Sequence, residues 1–390
     1  MNDAAVTGEN PVPDKRAVIM AILMGGLGVA QVVAMPLLAP LIANAFRVTE
    51  VDAGWVGLAN LLGTAAGSLV VTVFLNRLSF RVASVAAALV ACISQLSVAI
   101  LPGFEEALMM EALAGAGAGV LLALSAAVVG ASSNPDRGFA LILTLQAVVA
   151  VAVLVVIPFL TGGESLWPVT GFMAGVQALL IPLGVGLGAR FAGAVSASQT
   201  SLVAPVKAGL FMKAVAYFVF SAAVGVLWVF AAVLGQSAEL EDTAIGQALA
   251  VGNVAAIIGS LLAAIVTSRL GRIGPVTAVC VLMFVSVALF SQDMSLGIFY
   301  VASCLFLFAW GGGLPLMMGA VAEVDITDRV TSLLPVLAFA GMGIGPALVS
   351  FSPGGQDLFQ RVLLTTSFLV AIALALFCLA QVGRRFMLRH

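Results

Sequence analysis

Twelve apolar runs of roughly twenty residues follow one another along the chain, and each is long enough to cross a hydrocarbon core as a helix. They fall near 17–42, 54–75, 82–102, 107–131, 138–160, 167–189, 207–234, 244–267, 274–291, 295–321, 331–352 and 359–381. An even number of spans brings both termini to one side. Of the 390 residues, 62% are hydrophobic and 9% charged, with a mean hydropathy of +1.19. A soluble domain carries about 25% charged residues to solvate its surface. The expectation is therefore an all-α integral membrane protein surrounded by lipid.

The arrangement of charge gives the orientation. Lys15, Arg16, Arg77, Arg81, Arg137, Arg190, Lys207, Arg269, Arg272, Arg329, Arg384, Arg385 and Arg389 all fall at span ends that alternate with the N-terminus. The opposite ends hold Glu50, Asp52, Glu105, Glu106, Glu164, Glu239, Glu241, Asp242, Asp293 and Asp357, with only Arg47 and Arg361 as bases. The positive-inside rule then predicts cytoplasmic termini. The expected organisation is a cytoplasmic tail over 1–16, a six-helix bundle over 17–189, a linker over 190–206, a second six-helix bundle over 207–381 and a tail over 382–390. No stretch is long enough for an ATP-using domain, which favours secondary over primary transport.

Several chemistries are excluded by what the chain lacks. Cys92, Cys280, Cys304 and Cys378 lie in apolar runs without metal-ligand spacing, and His390 is the only histidine. No acid-base constellation, phosphate loop or extended basic patch is present, so no enzyme, cofactor or nucleic-acid role is expected.

The chain also repeats itself. A shift of 192 residues carries Arg77 onto Arg269, Gly67-Ser68-Leu69 onto Gly259-Ser260-Leu261, Lys15 onto Lys207 and Gly119 onto Gly311. That offset is about half the chain. It predicts two pseudo-symmetric six-helix bundles related by an axis along the membrane normal.

On these motifs the chain resembles the major facilitator superfamily. Asn76, Arg77, Ser79 and Arg81 form a degenerate copy of the family's loop between helices two and three, and Ser268, Arg269, Gly271 and Arg272 a closer one. Both copies lack the usual acid. Glu111, Gly115, Gly117 and Gly119 follow the family's helix-four glycines, with an acid where a base is usual. Asn134-Pro135-Asp136-Arg137-Gly138 looks like the loop before helix five, and Gly341-Met342-Gly343-Ile344-Gly345-Pro346 like the helix-eleven pattern. The resemblance implies a central cavity lined by helices one, four, seven and ten. It also implies cytoplasmic gating by Asn76, Arg77, Arg81, Asp136, Arg137, Arg269, Arg272, Asp325, Asp328 and Arg329. With the compact, nearly loop-free design, it points to a bacterial inner membrane.

Within the spans, polar groups mark candidate sites. Glu111 lies about one turn inside helix four, and an intramembrane carboxylate is costly unless it faces water, finds a partner or takes up a proton. It is the candidate for proton coupling, or else it joins Glu105 and Glu106 at the surface. Lys213 sits roughly 9 Å from the basic edge of helix seven, where its stem either snorkels or presents a cation to an anionic solute. Gln31, Gln146, Tyr217, Ser303 and Trp310 are further cavity candidates, each also able to bind only a neighbouring helix. Gly25, Gly26, Gly28 and Pro36 in helix one, and Gly311, Gly312, Gly313 and Pro315 in helix ten, suit helices that bend during gating. Trp55, Trp167 and Trp228 fit interfacial anchors.

The function expected is proton-coupled secondary transport of a small, partly apolar organic solute, with export slightly favoured over uptake. The alternatives are an uptake permease for an organic acid, with Lys213 balancing its charge, and a non-transporting membrane sensor or assembly factor on the same scaffold. A monomer is expected, since one chain holds both halves.

Overall fold

The computed structural model describes residues 13–75, 77–133, 135–161, 165–188, 208–270, 272–325, 330–352 and 357–387. Among them lie twelve apolar helices and no strand. In chain order they are α1 Lys15–Ala45, α2 Ala53–Phe74, α3 Phe80–Val98, α4 Phe104–Gly130, α5 Pro135–Leu160 and α6 Trp167–Gly186. The second half comprises α7 Ala208–Gln236, α8 Asp242–Leu270, α9 Ile273–Leu289, α10 Leu296–Ala322, α11 Leu334–Leu348 and α12 Leu358–Met387. Each matches one apolar run of the sequence to within about four residues at either end, except that α12 runs six residues past its run, to Met387, into the segment expected to be a tail.

Local chemistry sets the ends and the breaks. Asp14 caps α1 by accepting from the Ala17 amide at 2.7 Å, and Ser295 caps α10 by accepting from the Ile298 amide at 3.4 Å. α1 is two segments, Lys15–Leu27 and Ala30–Ala45, joined through Gly28 and Val29. α6 is likewise broken at Leu179.

The 192-residue repeat is written into the backbone. α1 closes through Arg47 at φ 55° and α7 through Glu239 at φ 56°, the only two non-glycine residues with positive φ among those described. In the first turn the Val48 amide donates to the Ala43 carbonyl, and in the second the Leu240 amide donates to the Gly235 carbonyl. These are one C-terminal capping motif at positions 192 residues apart. Where α2 crosses α4, Gly67 lies against the Ala116 carbonyl and Gly119 against the Thr64 carbonyl. Where α8 crosses α10, Gly259 lies against the Phe308 carbonyl and Gly311 against the Ala256 carbonyl, every residue displaced by the same 192. A side chain at any of the four glycines would meet a carbonyl, so both crossings depend on glycine.

Among the described residues, close glycine contacts join the two halves at one end. Call acidic the end that holds Glu105, Glu239 and Asp242, and basic the end where α1 begins. Gly54 of α2 rests on the Pro346 carbonyl of α11, Gly343 of α11 on Leu61 of α2, and Gly246 of α8 on the Leu154 carbonyl and Pro158 of α5. Gly57 of α2 lies against Val229 of α7. All these contacts fall in the acidic-end portions of their helices. There α7 is enclosed by protein, with every residue from Phe220 to Gly235 buried. Lipid tails are as apolar as leucine, so close packing rather than water exclusion holds such an interface together.

Candidate functional site

Glu111 lies on α4 seven residues beyond Phe104, about 10 Å along the axis from the acidic end. Its side chain is fully buried and turned into the first bundle, between α2 and α3. Gly63 on the Ala112 carbonyl and Gly115 on the Asn60 carbonyl bring α2 and α4 together at this level. One carboxylate oxygen accepts from Asn60 Nδ2 at 2.9 Å and the other from Gln95 Nε2 of α3 at 2.7 Å. Among the described residues, Asn60 Oδ1 and Gln95 Oε1 are buried with no donor. No basic side chain pairs with this carboxylate among the described residues. The surface reading of Glu111, alongside the exposed Glu105 and Glu106, is thereby corrected: glycine-mediated contact between α2 and α4 encloses it.

Lys213 does not snorkel. Its ammonium is buried and donates to the Ala320 carbonyl of α10 at 3.0 Å. The Val324 amide, which would have continued the helix to Ala320, donates to Val321 instead, so the lysine meets a carbonyl left over at the helix end.

The other cavity candidates separate into two groups. Gln146 donates to the Gly25 carbonyl at 2.9 Å and ties α5 to α1. Tyr217 is buried in α7, and Gln31 and Ser303 are buried with no hydrogen-bond partner among the described residues at Gln31 Oε1, Gln31 Nε2 or Ser303 Oγ. Trp310 is partly buried, edge-on to Trp228 at 5.1 Å and stacked on Phe306 at 6.1 Å. Trp228 is no interfacial anchor. It is fully buried, and its indole Nε1 donates across the molecule to the Val32 carbonyl of α1 at 2.8 Å.

Of the gating candidates, Arg272 pairs with Glu323 at 2.6 Å, reaches the Leu316 carbonyl at 3.2 Å and lies over Gly319. Arg81 donates to the Leu187 carbonyl at 3.0 Å. Each contact stays within one half. Asp325 is buried and accepts from the Val330 and Thr331 amides at 2.7 and 2.8 Å, which shapes the entry to α11. Arg77 is exposed. Asn76, Asp328 and Arg329, and the side chains of Asp136, Arg137 and Arg269, lie outside the described residues.

Gln95 and the Val32 carbonyl were not singled out by sequence reasoning. Gln95 had a signal: it and Glu111 stand equally far in sequence from Gly103, at the turn between α3 and α4, so the hairpin brings them to one depth. The Val32 carbonyl follows from Pro36, four residues on.

A small cavity of ≈ 100 Å³ lies between the halves at the acidic end, lined by Leu37, Pro40, Asn44, Pro158, Ala232 and Asp242 among others.

No protein-family model matches the chain, and no curated protein matches it. Solved structures do. A nucleoside transporter, NupG, superposes with a TM-score of 0.72 at 13% identity, covering 93% of this chain and 98% of that one. A D-xylose-proton symporter gives 0.71 at 14%, covering 92% and 96%. A bacterial homolog of the human lysosomal transporter Spinster, inward-facing and occupied, gives 0.71 at 14%, covering 93% and 96%. At such identities the likeness shows the fold. It is the twelve-helix, two-bundle architecture of major facilitator transporters.

Proposed function

We propose that this chain is a secondary transporter that moves a small, partly apolar organic solute by alternating access, with Glu111 taking up and releasing the coupling proton. One observation carries the proton step: a fully buried carboxylate whose side-chain partners are two neutral amides. A proton on it would supply a donor to a cluster in which Asn60 Oδ1 and Gln95 Oε1 have none. Asn60 also links this site to the moving interface, because its neighbours Gly57 and Leu61 pack on Val229 and Gly343 of the other half.

Rocking of the halves is supported by their joining through small residues at one end. By the positive-inside reading that end faces outward. Trp310 and Phe306, on the helix that the family resemblance implies lines the cavity, favour a solute with an apolar or aromatic face; sparse fixed charge favours a partly apolar solute, for which export fits slightly better than uptake. Both termini then lie in the cytoplasm of a bacterial cell, and the working unit is one chain.

The test is counterflow in liposomes that contain only this protein, with nucleosides, pentoses, aromatic acids and apolar amines as solutes, at acidic and mildly alkaline pH. The expected result is saturable flux of one class that changes with pH in the native chain and loses that pH dependence in Glu111→Gln. Flux insensitive to pH in both would remove the proton from the mechanism. No flux for any solute would count against transport itself.

A further inference from the structure

We propose that Trp228 and the Val32 carbonyl form a latch between the halves that holds the acidic end closed, and that Pro36 creates its acceptor. In an unbroken helix the Val32 carbonyl would accept from the amide of residue 36. That residue is proline, which has no N–H, so the helix itself cannot supply this bond. The donor comes instead from the other half: Trp228 Nε1 reaches the Val32 oxygen at 2.8 Å. Trp228 is wholly buried, with Trp310 edge-on at 5.1 Å and Phe306 stacked behind it, so its ring is held in place from the α10 side.

The consequence concerns the other conformation. Separating α1 from α7 at this level leaves a carbonyl without its helical donor and an indole N–H without its acceptor. Inside a membrane each must wait for water or solute to enter the cleft. The bond therefore favours the closed acidic end by an amount that opening forfeits. An ordinary helix–helix hydrogen bond would not act this way, because its carbonyl would keep its own helical donor.

This inference rests on the alternating-access reading, and its test separates the two. In protein with its four native cysteines replaced and Ala232→Cys introduced in the acidic-end cavity, the rate of reaction with a bulky water-soluble maleimide is measured in lipid nanodiscs. Trp228→Phe removes the donor and keeps an aromatic ring; it is expected to speed the reaction about three- to tenfold. Pro36→Ala restores a helical donor to Val32 and is expected to speed it as well. The double variant should react no faster than the faster single one, since both act on one bond.

An unchanged rate in Trp228→Phe, or single effects that multiply in the double variant, would overturn the latch. If Trp228→Phe does not fold, as judged by gel filtration and melting, the Pro36→Ala rate alone decides. Counterflow is followed in parallel. Unchanged labelling with intact flux sinks the latch and leaves transport standing; faster labelling in a chain that transports nothing supports the latch and sinks the transport reading.

Discussion

Lys213 sits where α10 ends and its last carbonyls have no amide left to meet. The hydrogen bond to Ala320 at 3.0 Å and the partial negative charge of a helix C-terminus both favour a cation there. Lys213→Met keeps most of the stem and removes the donor. It is expected to lower stability by about 1–2 kcal/mol, seen as a lower melting midpoint in detergent, while solute flux is retained. Lost flux at an unchanged midpoint would instead place the ammonium on an anionic solute. At this scale the sequence was readable where a residue type is costly in lipid. Glu111 and Lys213 stand out because charge is rare in spans; Trp228 was misread because a tryptophan near a helix end is usually an anchor. The difference between anchor and latch lay in a proline on a helix of the other bundle, and single-residue reading does not connect the two.

Helices were the most legible level, since a run of about twenty apolar residues has few options in a bilayer. The breaks were legible in part: the one at Gly28–Val29 falls on a glycine already marked as a point of bending, whereas nothing in 167–189 marks the one at Leu179. The repeat was visible as a few coincidences, and the structure supplies their reason: Gly67, Gly119, Gly259 and Gly311 are the points where one helix rides on the carbonyls of another. Alanine at any of the four is expected to push two helices apart and destabilise by about 1–3 kcal/mol, with matching effects at Gly67 and Gly259. Gly171 and Gly175 of α6 have nothing among the described residues within 4 Å of an added Cβ. Alanine at either should be neutral or stabilising by about 0.5–1 kcal/mol through helix propensity alone. Thermal midpoints of the six variants decide. A loss at Gly171 or Gly175 as large as at Gly67 would mean that the crossings are not what glycine serves here.

That the glycine contacts between the halves gather at the acidic end was illegible in the sequence, because hydropathy and charge do not say which helices of the two bundles touch. That geometry permits a direct trial of the rocking proposed above. A Cβ added at Gly343 of α11 would stand 3.1 Å from Leu61 Cβ of α2, on the opposite half. Disulfides need Cβ atoms about 3.5–4.5 Å apart, so a small outward relaxation, eased by shortening Leu61, gives a bond that spans the two bundles. The pair Leu61→Cys and Gly343→Cys, in a background without native cysteines, is expected to oxidise readily within one chain and to abolish flux. Reduction should restore it. The reduced pair is its own control for folding, since it differs only by the bond. If the halves rock about a central site, this bond must be absent during part of every cycle, because the acidic end has to open there. Undiminished flux in fully oxidised protein would show that α2 and α11 never separate at this level. The closed acidic end would then be a permanent floor, and solute would have to pass by some route other than between the bundles.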